Sequence, residues 1–372
     1  MKLTCTRENL SRALDSVSGV AGKHVNLPIL VNILINAEDS KVELISTNLE
    51  LAVKVNLRAK VEKKGSFTVP AKTLNEYVHL LNDEQVELEL ERNELKVTCG
   101  NSSTKIKGTT AEDFPVLPEI EEKSTYQLLV EPLRDSLLKT AVAAAKNEIR
   151  PELSGVFFNF FGEGSKGLTL AATDSYRLAE KKLSVASGED PAICIVPGRA
   201  VQEMIRLLNL EKEEGNSQVV LALSEGQIIL RFGSVELSSR LVDGTYPDYY
   251  QIIPSEFKTT SFFPVDIMTN KIKAASLFTT TGVNAVSFDF NVSDGNIGVS
   301  STSTQKGEHI SQVDAELTGE ENSILLNHRY LLDGLQQMSG DVEFSMNSAD
   351  SPCLIKEKGK NDYVYIVMPI RQ

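Results

Sequence analysis

No run of about eighteen apolar residues occurs in the 372-residue chain, so no segment reads as a membrane-spanning helix. The start, MKLTCTRENL, lacks an apolar core of the kind a secretion signal needs. Cysteine is scarce and scattered: Cys5, Cys99, Cys194 and Cys353 form no C-x-x-C pair. Such spacing argues against a zinc site and fits reduced thiols in a cytoplasm. The four histidines, His24, His79, His309 and His328, are equally dispersed, and neither metal nor cofactor is expected. Positive charge is also short, with 38 Lys and Arg against 51 Asp and Glu, a net of −13. Taken alone, that balance argues against a chain that wraps nucleic acid.

Catalytic signatures are missing as well. There is no G-x-S-x-G elbow and no dinucleotide fingerprint. G-V-A-G-K-H (19–24) lacks the first glycine of a phosphate loop and follows Lys23 with His24. The densest polar cluster, T-D-S-Y-R in L-A-A-T-D-S-Y-R-L-A-E-K (170–181), reads as part of a strand. Neighbours on a strand point to opposite faces, a poor arrangement for a nucleophile and its base. A non-catalytic protein is expected.

What is present is repetition. F-T-V-P-A-K-T-L-N-E-Y-V-H-L-L-N (67–82) is echoed by I-C-I-V-P-G-R-A-V-Q-E-M-I-R-L-L-N (193–209). I-S-T-N-L-E-L-A (45–52) matches A-A-T-D-S-Y-R-L-A (171–179), with Thr47 and Thr173 spaced by 126. V-S-S-T-S-T (299–304) and S-I-L-L-N-H-R-Y-L-L-D-G-L (323–335) form a fainter third copy. The period is that of a domain rather than a solenoid unit, so three similar domains follow one another.

Each copy combines amphipathic helices, such as 6–17 and 131–146, with alternating strands such as V-E-L-E-L-E and L-K-V-T-C. The expected class is α+β, with two helices on one side of antiparallel sheet in each domain. Polar, proline-marked linkers at 118–125 and 253–260 place the domains at 1–122, 123–255 and 256–372. Six helical segments (6–23, 70–82, 131–150, 198–210, 264–280 and 327–338) carry +4, leaving −17 elsewhere. A weakly basic helical surface beside an acidic exterior could face phosphates without gripping them.

Three copies of about 125 residues, together with L-P-I-L (27–30), A-T-D-S-Y-R-L-A (172–179), L-V-D-G-T-Y-P-D-Y (241–249) and V-M-P-I-R (367–371), resemble the bacterial sliding clamps, the beta subunit of DNA polymerase III. The resemblance spans the whole chain. It implies the DNA-clamp fold and a ring-shaped head-to-tail homodimer encircling double-stranded DNA without sequence preference. It also implies a non-catalytic processivity factor of the cytoplasm, working on the nucleoid. Implied partners are the DNA polymerase III alpha subunit, clamp-loader subunits, and other polymerases and repair proteins carrying short clamp-binding peptides.

Carried over to this sequence, the DNA-facing positions are His24, Lys72, Lys146, Arg150 and Arg199. The implied client-peptide pocket comprises Leu153, Thr173, Ser175, Tyr176, Arg177, Leu178, Pro247, Gln251, Ile252, Val367, Met368, Pro369, Ile370 and Arg371. Aliphatic and methionine walls of this kind suit leucine or phenylalanine anchors, with a few polar groups for orientation.

Overall fold

The computed structural model describes residues 1–22, 27–118, 120–147, 149–162, 165–210, 217–280 and 282–371. Within these residues lie six α-helices: α1 (Arg7–Ser18), α2 (Ala71–His79), α3 (Val130–Ala141), α4 (Gly198–Leu210), α5 (Val265–Ser276) and α6 (His328–Leu335). They come in pairs, one pair per repeat, and each helix directly follows a strand. Strands Gly65–Pro70 and Ala192–Pro197 end on the prolines of the two V-P pairs, and α2 and α4 begin at once. Proline suits a helix entrance because its missing N–H is one that has no partner there anyway. Side-chain caps serve others: Thr6 accepts from the Asn9 amide at 3.2 Å and Asn327 from the Arg329 amide at 3.0 Å.

Five of the six helices end before the segments expected from sequence, α4 alone reaching its expected end. α3 stops at Ala141, where amide bonds from Ala143 to the Thr140 carbonyl (3.1 Å) and from Ala144 to the Ala141 carbonyl (3.3 Å) replace the helical pattern. Lys146 and Arg150 therefore lie beyond it. Arg150 (φ −123, ψ 88) lies outside the helical region, which a following proline disfavours. α1 likewise ends at Ser18. Counted over the observed helices, the charge excess is +2 rather than +4.

Contacts divide the chain into two compact units. The first contains Met1–Arg134, Val185–Asp190 and Arg199–Leu241. It holds a five-stranded sheet, ordered Ala59–Lys63, Lys2–Thr6, Gln85–Glu91, Glu94–Cys99, Ser102–Lys107. It also holds a nine-stranded sheet in which Leu51–Leu57 of the first repeat pairs with Val235–Arg240 of the second, Val53 opposite Leu237. The second unit contains Asp135–Ser184, Pro191–Gly198 and Val242–Gln372. Its nine-stranded sheet joins Arg177–Leu183 of the second repeat to Tyr363–Val367 of the third, Ala179 opposite Tyr365. Its four-stranded sheet runs Gly307–Asp314, Asn296–Ser303, Ala285–Asn291, Asn322–Asn327. All these pairings are antiparallel, as the alternating pattern requires.

Helices dock on sheet through apolar stripes and a few buried hydroxyls. Leu10, Leu14 and Val17 of α1 are fully buried, and Ser46 Oγ donates to the Val17 carbonyl at 2.6 Å. The third repeat repeats the device: Ser301 Oγ donates to the Ala275 carbonyl near the end of α5, also at 2.6 Å. Each bond brings a side-chain donor to a carbonyl at the end of its helix, where helical partners run out; Ala275 also accepts from the Phe278 amide at 3.0 Å.

Candidate functional site

The cluster T-D-S-Y-R is not continuous strand. Strand Leu168–Thr173 ends, three residues turn, and strand Arg177–Leu183 returns beside it. Thr173 Oγ1 donates to the Arg177 carbonyl (2.6 Å) and accepts from the Ser175 amide (3.1 Å). Asp174 Oδ1 accepts from the Tyr176 and Arg177 amides at 3.0 and 3.1 Å. The first repeat builds the same turn. Thr47 Oγ1 donates to the Leu51 carbonyl (3.0 Å), and Asn48 Oδ1 accepts from the Glu50 and Leu51 amides at 3.1 and 2.8 Å. Ser175 and Leu49 even share a positive φ, 75° and 76°. Non-glycine residues hold this conformation only where their surroundings fix it, at a cost of about 1 kcal/mol.

The turn reverses the expectation from strand geometry, because Asp174 and Arg177 become neighbours. Arg177 Nε donates to Asp174 Oδ2 at 3.0 Å, and Nη1 to Asp333 Oδ2 at 2.6 Å. Arg177 is 4% exposed, and its Cζ lies 4.7 Å from the Tyr330 ring centroid. Burial alone would lower its pKa; Tyr365, Asp333 and Asp174 outweigh that and raise it above the ordinary arginine value. Tyr176, 61% exposed, stacks on Tyr330 with centroids 6.1 Å apart and planes within 16°. The Tyr365 hydroxyl anchors this group by donating to the Tyr330 carbonyl at 2.8 Å.

Two clefts border that tyrosine pair. The first, about 610 Å3, is bounded by Ser175, Tyr176, Val283, Asn327, Tyr330, Asp350, Pro352 and the segment Met368–Arg371. The second, about 500 Å3, shares Ser175, Tyr176, Asn327 and Tyr330 and adds Lys146, Ile149, Arg150, Leu153, Arg177 and Arg329 among others. The terminal segment is fixed by main-chain bonds from Met368 to the Tyr176 carbonyl (2.9 Å) and from Ile370 to the Leu325 carbonyl (2.8 Å).

Of the pocket positions read from sequence, Ser175, Tyr176, Met368, Pro369, Ile370 and Arg371 border the first cleft, and Leu153 and Arg177 the second. Thr173 and Val367 are buried behind the turn. Leu153 and Leu178 belong to a core cluster with Tyr246 and Tyr249, and Ile252 packs against it. Pro247 is half-buried, and exposed Gln251 donates to Asp248 Oδ2 at 2.8 Å; neither borders the two clefts. Tyr330, Asn327 and Asp333 went unread in the sequence. Their signal was the third-repeat helix H-R-Y-L-L-D-G-L, which occupies the place of α2 and α4.

Among the DNA-facing positions, His24 lies outside the described residues. Lys72 sits exposed on α2, 3.7 Å from Glu76. Arg199 is exposed in the first turn of α4. Lys146 is exposed beyond α3, and Arg150 pairs with Glu152 at 2.9 Å. Among the described residues, no cluster of three His, Cys, Asp or Glu could hold a metal, and no helix is long and apolar enough to cross a membrane.

Three tandem α+β repeats, joined by sheets that run from one repeat into the next, have the DNA-clamp fold. The DNA polymerase III beta subunit models match in series: N-terminal domain over residues 1–118, central domain over 127–248, C-terminal domain over 250–371. The chain belongs to the DNA polymerase III beta subunit family. It is 30% identical to the beta sliding clamp of Synechococcus elongatus over 378 residues, covering 100% of this chain and 99% of the relative. Identity to the Bacillus subtilis beta sliding clamp is 28% over 383 residues, with 100% of both covered. Similar solved structures include the Thermotoga maritima DNA polymerase III beta subunit (TM-score 0.92, 27% identity, 100% and 99% covered). Another is the Pseudomonas aeruginosa sliding clamp bound to griselimycin (TM-score 0.92, 26% identity, 100% of both covered).

Proposed function

We propose that this chain is a processivity factor: a head-to-tail homodimer that closes around duplex DNA and tethers the replicative polymerase to its template. The observation that carries the reading is the unbroken series of three clamp domains from residue 1 to residue 371. In this reading the domains run 1–122, 123–255 and 256–372. Closure of a ring needs a repeated heterologous contact, and two edge strands offer one. Ser102–Lys107 carries Lys105 and Lys107, whereas Gly307–Asp314 carries Glu308 and Asp314, and each lies at the edge of its sheet. Topology then replaces affinity, so a few weak phosphate contacts from Lys72, Lys146, Arg150 and Arg199, with His24 as a further position, suffice and permit sliding.

The cleft beside Met368–Arg371 is the client pocket in this reading. It takes short peptides with leucine or phenylalanine anchors from the polymerase alpha subunit, clamp-loader subunits, other polymerases and repair proteins. Thr173, Arg177 and Val367 lie behind its wall, and Leu153, Leu178, Pro247, Gln251 and Ile252, which do not border it, are further positions of the pocket in this reading. The setting is the cytoplasm, on the nucleoid. The test loads the protein onto nicked circular DNA with a clamp loader and then linearises the circle. Release on cutting is expected; retention would overturn encirclement.

A further inference from the structure

The second cleft is cationic where the first is apolar, and its charges are unevenly matched. Its carboxylates Asp174 and Asp333 both turn to the Arg177 guanidinium, at 3.0 and 2.6 Å. Arg150 is likewise engaged, with Glu152. Lys146 and Arg329 are exposed, and among the described residues neither has a carboxylate within 4.0 Å. Ile149, 86% exposed, adds an apolar surface beside them. Because the Tyr176–Tyr330 pair borders both clefts, a chain leaving the apolar one passes over the tyrosines and meets these cations next.

We propose that this second cleft reads acidic residues flanking the apolar anchors of a client peptide, with Arg329 and Lys146 as the recognising groups. The inference rests on the client-pocket reading of the first cleft. Peptide aspartates or glutamates would gain two charge contacts that neutral flanks cannot make. Exposed pairs are individually weak, so the expected gain is roughly five- to tenfold in affinity and shrinks in high salt.

The experiment is fluorescence anisotropy with five labelled peptides on the 372-residue chain. One carries only glutamine, leucine and phenylalanine anchors; the others add three acidic or three neutral polar residues, at either end in turn. The acidic extension at one end should tighten binding, and Arg329→Glu should erase that gain while leaving the anchor-only peptide unaffected. Lys146→Glu should reduce the same gain. If the anchor-only peptide does not bind, the client-pocket reading falls and this inference with it. If it binds but acidic and neutral extensions are equal at both ends, the inference alone is overturned. A gain that survives Arg329→Glu also overturns it. So does a short oligonucleotide binding through Arg329 while acidic extensions add nothing.

Discussion

Arg206 of α4 reaches Ser16 of α1, donating from Nη2 to the Ser16 carbonyl at 2.6 Å and from Nη1 to the neighbouring Asp15 carbonyl at 2.7 Å. Both carbonyls belong to the last turn of α1, where backbone acceptors lack helical partners and the helix dipole favours a cation. Glu203 holds the guanidinium in place through bonds of 2.9 and 2.6 Å. One side chain thus fastens a helix of the second repeat to the end of a helix in the first.

The fastening explains the glycine that follows α1. A Cβ on Gly19 would come within 2.5 Å of Arg206 Nε, although its backbone (φ −65, ψ −32) accepts any residue. Gly19→Ala is therefore expected to cost about 1 kcal/mol in urea unfolding, because the guanidinium must move. In an Arg206→Ala background the same change should be neutral or slightly stabilising, since alanine suits a helix end better than glycine. Equal cost in both backgrounds would show that the two positions are uncoupled.

Arg177 joins the second and third repeats in a comparable way, between Asp174 and Asp333 and over Tyr330. Arg177→Met should destabilise the protein by about 2 kcal/mol, less than for a fully buried pair because the Asp333 side chain is 41% exposed. The Tyr176–Tyr330 wall should loosen with it, weakening peptide binding roughly tenfold. A variant with unchanged urea midpoint and peptide affinity would contradict this role.

The thiols give a pH-dependent expectation. Burial pushes Cys5, Cys194 and Cys353 up to about 12. A raised thiol pKa means the protonated form dominates below that value, and the thiolate is the reactive species. At pH 8 these cysteines should alkylate with iodoacetamide at least about a hundredfold more slowly in the native protein than in urea, followed by mass spectrometry. Comparable rates in the two states would mean that the sites open readily.

Much of this was legible because repetition exposes structure that a single copy hides. The V-P pairs marked two helix starts, and the Thr47–Thr173 match marked one shared element twice, a strand by its sequence and a turn in the structure. The turn's conformation was not legible. The apolar flanks of Asp174 and Arg177 give the stretch the look of one strand, and only the amide bonds to Asp174 Oδ1 bring the two onto one side. The end of α3 was obscured by V-A-A-A-K, whose helix propensity is high but whose chain leaves the helix before Arg150-Pro151. Tyr330 escaped because its partner Tyr176 lies in another repeat, and alternation along a strand says nothing about distant neighbours.

Where Leu51–Leu57 meets Val235–Arg240, and Arg177–Leu183 meets Tyr363–Val367, the joining atoms are backbone atoms. Every sequence possesses them, so adjoining repeats can drift apart in side chains and stay fastened. What such a seam does not forgive is unequal length. One residue inserted into either strand turns everything beyond it to the opposite face, exchanging core for solvent along the line where two domains become one sheet.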